Sequence, residues 1–266
     1  MRSYRLALIL APLLLIGACS TDRRAEVAAG SGDARVGQLM RVAEGSSQAG
    51  DDNAAADLFA RANRIAPEDP DPLTGLGRSL RRLGQYEAAR SAYQAALDLA
   101  PENTDALYGL GLTLLRLNQP ETGIPHLEAA VALRPGDPAI LNALGVARDL
   151  TGAHVNAQAA YLAGLKETPE DPALNNNHAL SLALGGRFDE ATDLMNGLIG
   201  KPSASRRDRQ TLALIYALAG DLAAAERVAA GDLSGPELSQ NIRFYRALQT
   251  LGPEERARAV LSGSIG

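Results

Sequence analysis

PLTGLGRSLRRLGQYEAARSAYQAALDLAP, residues 72–101, reads as two joined helices: Gly84 ends the first and Pro101 stops the second. Glycine closes a helix in the left-handed conformation at little cost, and proline cannot continue one. Both marks recur every 34 residues. Gly50, Gly84, Gly152, Gly186 and Gly220 share one phase, with Asn118 in the remaining slot. Pro67, Pro101, Pro135 and Pro169 share another. Leu76-Gly77 returns as Leu110-Gly111 and Leu144-Gly145. Gly77 with Ala89, and Gly145 with Ala157, supply small side chains where paired helices cross. Tyr93, Leu127, Tyr161 and Met195 fill the large core slot on the second helix. Asp71-Pro72, Asp137-Pro138 and Asp171-Pro172 each place an N-cap before a proline at the first helical position.

A 34-residue helix-turn-helix period with early Leu-Gly, a later Ala and a late Pro resembles the tetratricopeptide repeat. The resemblance implies an all-α solenoid. Six units are expected, at 36–69, 70–103, 104–137, 138–171, 172–205 and 206–237, with a degenerate helix pair at 238–262. Ala, Leu and Gly dominate, Trp is absent and aromatics are 4%. Such a core suits close-packed helices better than sheets, which favour β-branched and aromatic residues.

Outward from the repeats, the N-terminus has the layout of a signal peptide. Arg2 and Arg5 precede an apolar run from Leu6 to Ile16, which is too short for the roughly 20 residues of a membrane span. Ile16-Gly17-Ala18-Cys19 resembles the bacterial lipobox, whose cysteine is diacylated and becomes the mature N-terminus. Cys19 is the only cysteine, so no internal disulfide can form. The expected organisation is a signal segment at 1–18, a flexible tether at 19–35, the solenoid at 36–262 and a tail at 263–266. Loss of residues 1–18, with their two arginines, takes the net charge from −5 to −7. Two or more acyl chains hold a protein on a membrane where one gives only marginal binding. Ser20 stands where Asp marks inner-membrane retention in many lipoproteins, so the outer membrane is expected.

Catalytic and metal constellations are not readable. GLGRSL (75–80) and GLGLTL (109–114) contain Gly-x-Gly, but no strand precedes either and both occupy packing positions of the repeat. His126, His154 and His178 fall in three different repeats with no partner at metal-ligand spacing. A non-enzymatic chain with no cofactor, metal or small-molecule substrate is expected. The acidic balance and the lack of a basic stripe argue against nucleic acid.

Stacked repeats present their first helices on a concave face, and the repeat resemblance directs the fifth and ninth positions of each unit into it. The fifth positions are Thr74, Tyr108, Asn142, Asn176 and Gln210; the ninth are Arg78, Leu112, Val146, Leu180 and Leu214. They describe an apolar floor beside a row of amides, with a basic end at Arg78, Arg81 and Arg82. Amides both donate to and accept from a peptide backbone, so a peptide groove is one reading; packing of the aliphatic residues between repeats is the other. The Lys–Asn pair of the chaperone-type carboxylate clamp is missing, with Thr74 and Arg78 in its place. Arg206, Arg207 and Arg209 open a helix, where the dipole disfavours cations. They form a second candidate surface, for an acidic partner or lipid phosphates, or else a solvated cluster.

The segments NNNHALSLALGGRFDEATDLMNGLI (175–199), SRRDRQTLALIYALAGDLAAAERVAAGDLS (205–234) and NIRFYRAL (241–248) resemble the tetratricopeptide lipoprotein of the tight-adherence (Tad) pilus system, TadD. Members of that family often carry Asn where Thr211 and His178 stand. The resemblance covers roughly residues 19–250. It implies an outer-membrane lipoprotein facing the periplasm that supports the pilus secretin and Flp pilus export, with no catalytic residues. A pilotin-like or general envelope-assembly lipoprotein outside the Tad system is the alternative.

Overall fold

The computed structural model describes residues 19–262, with side chains from residue 33 onward. The signal segment 1–18, the Cys19 side chain and the tail 263–266 lie outside the described residues. Fourteen helices follow one another among those described: α1 (Cys19–Gln48), α2 (Asp52–Ile65), α3 (Pro70–Arg82), α4 (Tyr86–Leu99), α5 (Thr104–Arg116), α6 (Pro120–Leu133), α7 (Pro138–Leu150), α8 (His154–Glu167), α9 (Pro172–Leu184), α10 (Phe188–Ile199), α11 (Arg206–Leu218), α12 (Leu222–Ala230), α13 (Gly235–Leu248) and α14 (Pro253–Ser262). The first twelve stack as six hairpins, odd-numbered helices against odd-numbered neighbours, and α13 packs on α11 and α12. The described residues form an all-α tetratricopeptide-repeat solenoid.

The 34-residue phase has a direct structural cause. Gly50, Gly84, Gly152, Gly186 and Gly220 all have positive φ, and Asn118 does so at 58°. Each sits where the first helix of a hairpin must close. The following N–H then reaches back five residues, as in Gln85 to Leu80, Gln119 to Leu114 and Ala153 to Arg148, each at 2.9 Å. That bond satisfies a carbonyl the helix end would otherwise leave open.

N-caps keep the same phase. Asp69, Asn103, Asp137, Asp171 and Ser205 accept backbone N–H bonds at the starts of α3, α5, α7, α9 and α11. One sequence expectation changes here: Asp69, not Asp71, caps α3. In Asp69-Pro70-Asp71-Pro72 either Asp-Pro pair carries the signal, and the helix starts at the pair in register with the other units.

Small and large side chains interlock between hairpins. Tyr93 is buried against Gly77 of its own hairpin and Gly109 of the next. A Cβ at Gly109 or Gly145 would overlap the ring of Tyr93 or Tyr161. Ala89, Ala157, Ala191 and Ala225, fully buried, hold the crossing points on the second helices. Leu127 and Met195 fill the large slot as expected.

Residues 19–35, expected as a tether, are helical and form the first part of the 30-residue α1. The run contains several alanines, which carry no helix penalty. At the other end the period breaks after the nine-residue α12. α13 starts at Gly235, three residues before the expected pair, and α14 folds back against α7 and α9. Ala257, Ala259 and Val260 are its buried face.

A buried carboxylate ties the fourth hairpin to the fifth. Asp149 is fully buried on α7 and accepts from the Ser181 hydroxyl at 2.7 Å and the Tyr161 hydroxyl at 2.9 Å. His154 Nδ1 lies 2.8 Å from it. Burial, then the charge and hydrogen bond of Asp149, push the Tyr161 phenol well above its usual range. The position is a packing joint, and His154 is its histidine.

Candidate functional site: a cleft on the concave face

The odd-numbered helices line the concave side, and α14 lies across part of it. Between α5, α7 and the end of α14 a cleft of about 270 Å³ remains. Its apolar wall is Leu112, Leu115, Val146, Leu150 and Leu261; Tyr108 and Asn142 stand beside it. Arg81, Arg116 and Arg258 surround it. Four of the sequence-derived positions, Tyr108, Leu112, Asn142 and Val146, therefore meet at one site, each half-buried. Burial raises the Tyr108 phenol above its ordinary pKa, against the opposing charge of Arg81.

The remaining candidates do not join it. Asn176 is 1% exposed; its Nδ2 donates to Asp208 at 2.6 Å and to the Pro172 carbonyl at 2.7 Å. It is an internal bond between α9 and α11, not a free amide. Leu180 is 8% exposed and belongs to the cluster containing Ala259 and Val260 of α14. The C-terminal helix packs on α9, which takes this stretch of the floor out of solvent. Leu214 packs partly into the same core, and Gln210 bonds Asn241 at 3.3 Å. At the other end Arg78 reaches Asp105 at 3.9 Å, in a separate small recess that also contains Thr74 and Asn103. Thr74 is buried and accepts from Asn103 at 3.1 Å.

The second surface is largely self-neutralised. Arg209 pairs Asp232 through two bonds of 2.9 and 2.7 Å, and Arg206 lies 3.5 Å from Glu237. Arg207 is exposed. Asp208 answers the dipole objection: with Ser205 it forms a capping box at the start of α11. Burial alone would raise the Asp208 carboxyl, but bonds from Asn176 and Ser205 outweigh it and hold the group below its ordinary value.

Sequence reasoning missed Leu115, Arg116, Leu150, Arg258 and Leu261. Leu115, Arg116 and Leu150 lie outside the fifth and ninth positions of their units, and Arg258 and Leu261 come from α14, whose return to the concave side follows no period. Among the described residues no group of three or more His, Cys, Asp or Glu could hold a metal ion. No described helix is long and apolar enough to cross a membrane.

The tetratricopeptide repeat family model matches residues 74–138 and 110–172. No curated protein matches the chain in sequence. Among solved structures, a tetratricopeptide repeat protein from Parabacteroides merdae is 19% identical, with a TM-score of 0.69 over 87% of this chain and 93% of that one. PilW, described as a widely conserved type IV pilus biogenesis factor, is 19% identical, with a TM-score of 0.66 over 81% of this chain and 97% of its own. YrrB, described as a repeat protein with an unusual peptide-binding site, is 22% identical, with a TM-score of 0.54 over 62% and 86%. At these identities the likeness concerns the fold. The phased caps, the interlocking Gly and Tyr positions, the family match within residues 74–172 and the fold shared with these structures together show a tetratricopeptide-repeat solenoid.

Proposed function

We propose that the chain is a non-catalytic scaffold, anchored through acylated Cys19 to the periplasmic face of the outer membrane, that binds a protein of the Tad (Flp) pilus machinery. The observation that carries the binding reading is the concave cleft. Tyr108, Leu112, Asn142 and Val146 leave apolar surface and an amide half-exposed on a rigid stack of helices. A preformed groove of this kind suits an extended or helical segment. Asn142 Oδ1 accepts from Asn177 at 2.8 Å, which leaves its Nδ2 free to donate to a bound backbone.

The pilus reading is supported by the resemblance of residues 175–248 and by the fold shared with PilW, itself a pilus biogenesis factor. The membrane reading rests on Ile16-Gly17-Ala18-Cys19. The pilus secretin is the partner the resemblance implies. A pilotin-like or general envelope-assembly role remains the alternative, because the same cleft would serve either.

The test is a crosslinked pull-down of the full chain from the envelope of its own host. The reading expects a Tad secretin or another Tad component, lost from wild type to Val146→Glu. Recovery of unrelated envelope proteins alone would favour the alternative. In parallel, Cys19→Ala should leave the membrane fraction while the repeats stay folded.

A further inference from the structure

The three arginines around the cleft differ from the arginines beside them. Arg82 is paired with Asp52 at 3.4 Å, Arg134 with Asp105 at 2.5 Å and Arg148 with Glu128 at 2.9 Å. Arg81, Arg116 and Arg258 are in no ion pair among the described residues, and no Asp or Glu lines the cleft. Arg81 lies by the Tyr93 hydroxyl, and its Nε is buried with no hydrogen-bond partner. In a chain of net charge −5 this is a local excess of three cations over an apolar floor.

The geometry points to an acidic, aliphatic segment of a partner protein as the occupant of this cleft, its Asp or Glu side chains meeting Arg81, Arg116 and Arg258. The inference rests on the scaffold reading and specifies the partner's chemistry. Charge complementarity carries it: guanidinium groups bind carboxylates through paired N–H donors and are more weakly hydrated than ammonium. The cations come from three separate helices that line the cleft, α3, α5 and α14. One terminal carboxylate cannot serve all three positions, whereas acidic side chains spaced along a segment can. At about 270 Å³ the cleft is smaller than typical ligand pockets of roughly 300–1,000 Å³. It fits a few side chains of a chain that continues beyond it. The C-terminal helix supplies one jaw, through Arg258 and Leu261, so the site needs α14 seated on α7.

The test is selection of a displayed library of random short peptides on the full chain and on an Arg116→Glu/Arg258→Glu variant. Both substituted residues are exposed and in no ion pair among the described residues, so the variant should melt like the wild type. If it does not, Arg116→Gln/Arg258→Gln takes its place. Recovered peptides should combine Asp or Glu with aliphatic residues and be absent from selections on the variant. Replacing their acids by amides should weaken binding by about ten- to hundredfold, and amidating their C-terminus should change little. Enrichment without acidic residues, equal recovery on the variant, dependence on a free C-terminal carboxylate, or no enrichment at all would overturn the inference. Acidic peptides recovered here, with no Tad component in the envelope pull-down, would keep the cleft chemistry and sink the pilus assignment.

Discussion

Asn142 and Val146 on α7, and Asn176 and Leu180 on α9, hold the same two repeat positions 34 residues apart, yet they meet different fates. The first pair lines an open cleft. The second is buried, Asn176 by its bond to Asp208 and Leu180 in the cluster that contains Val260. Repeat position decides where a side chain points. What later lands on it decides whether it stays available. A concave face read from periodicity alone therefore lists candidates, and the non-repetitive C-terminal helix selects among them.

The largest test of this contrast is a charge placed at each ninth position. Leu180→Glu should cost roughly 3–5 kcal/mol, because it loses buried apolar area and brings an unpaired carboxylate under α14. Val146→Glu, half-exposed beside Arg116 and Arg258, should stay within about 1 kcal/mol. Urea unfolding of both variants checks it. Equal losses would mean that the cleft is a closed core.

The fifth positions should separate less widely. Asn176→Ala removes a donor from a buried carboxylate and should cost about 1–3 kcal/mol, against about 0.5 kcal/mol or less for Asn142→Ala. The pH dependence identifies the cause. Asp208 is held below its ordinary carboxyl pKa of 3.8, so its contribution is present above that value and is lost as pH falls through the folded pKa. The gap between wild type and Asn176→Ala should therefore close in acid. A gap that is constant with pH would assign the loss to packing.

The tether and the site show where the sequence stopped being legible. Caps and turns were readable because each is local: a Gly or Asn at positive φ and an Asp before the next helix need only neighbours along the chain. Even there, the choice between Asp69 and Asp71 needed the register of the whole array. Residues 19–35 looked unstructured because they lack apolar periodicity, yet α1 includes them. In the cleft, Tyr108, Leu112, Asn142 and Val146 followed from position. Arg258 and Leu261 could not, because nothing in α14's sequence says that it returns to α7. Asn176 was misplaced for a similar reason: its partner Asp208 lies 32 residues on and reads as a capping residue of another helix.

The smallest expected effect concerns His178, two residues after Asn176 on α9. Burial, then the charge of Arg187, lowers its imidazole pKa below 6.5, against opposing pulls from Asp149 and Glu190. The unfolded chain therefore binds the proton more readily, so stability is kept above pH 6.5 and falls as pH drops below it. His178→Asn should flatten that decline while changing little at pH 8. Thermal melts across pH 5–8 read it directly, and an unchanged slope would mean that His178 does not control it.

The most direct measurement is photocrosslinking in the native envelope from an unnatural residue at 146, with 180 and the exposed convex position Gln94 as comparisons. The account predicts an adduct to an envelope protein from position 146 alone, abolished by Arg116→Glu/Arg258→Glu. The same adduct from Gln94, or its survival in that double variant, would contradict the claim that this cleft is where the scaffold holds its partner.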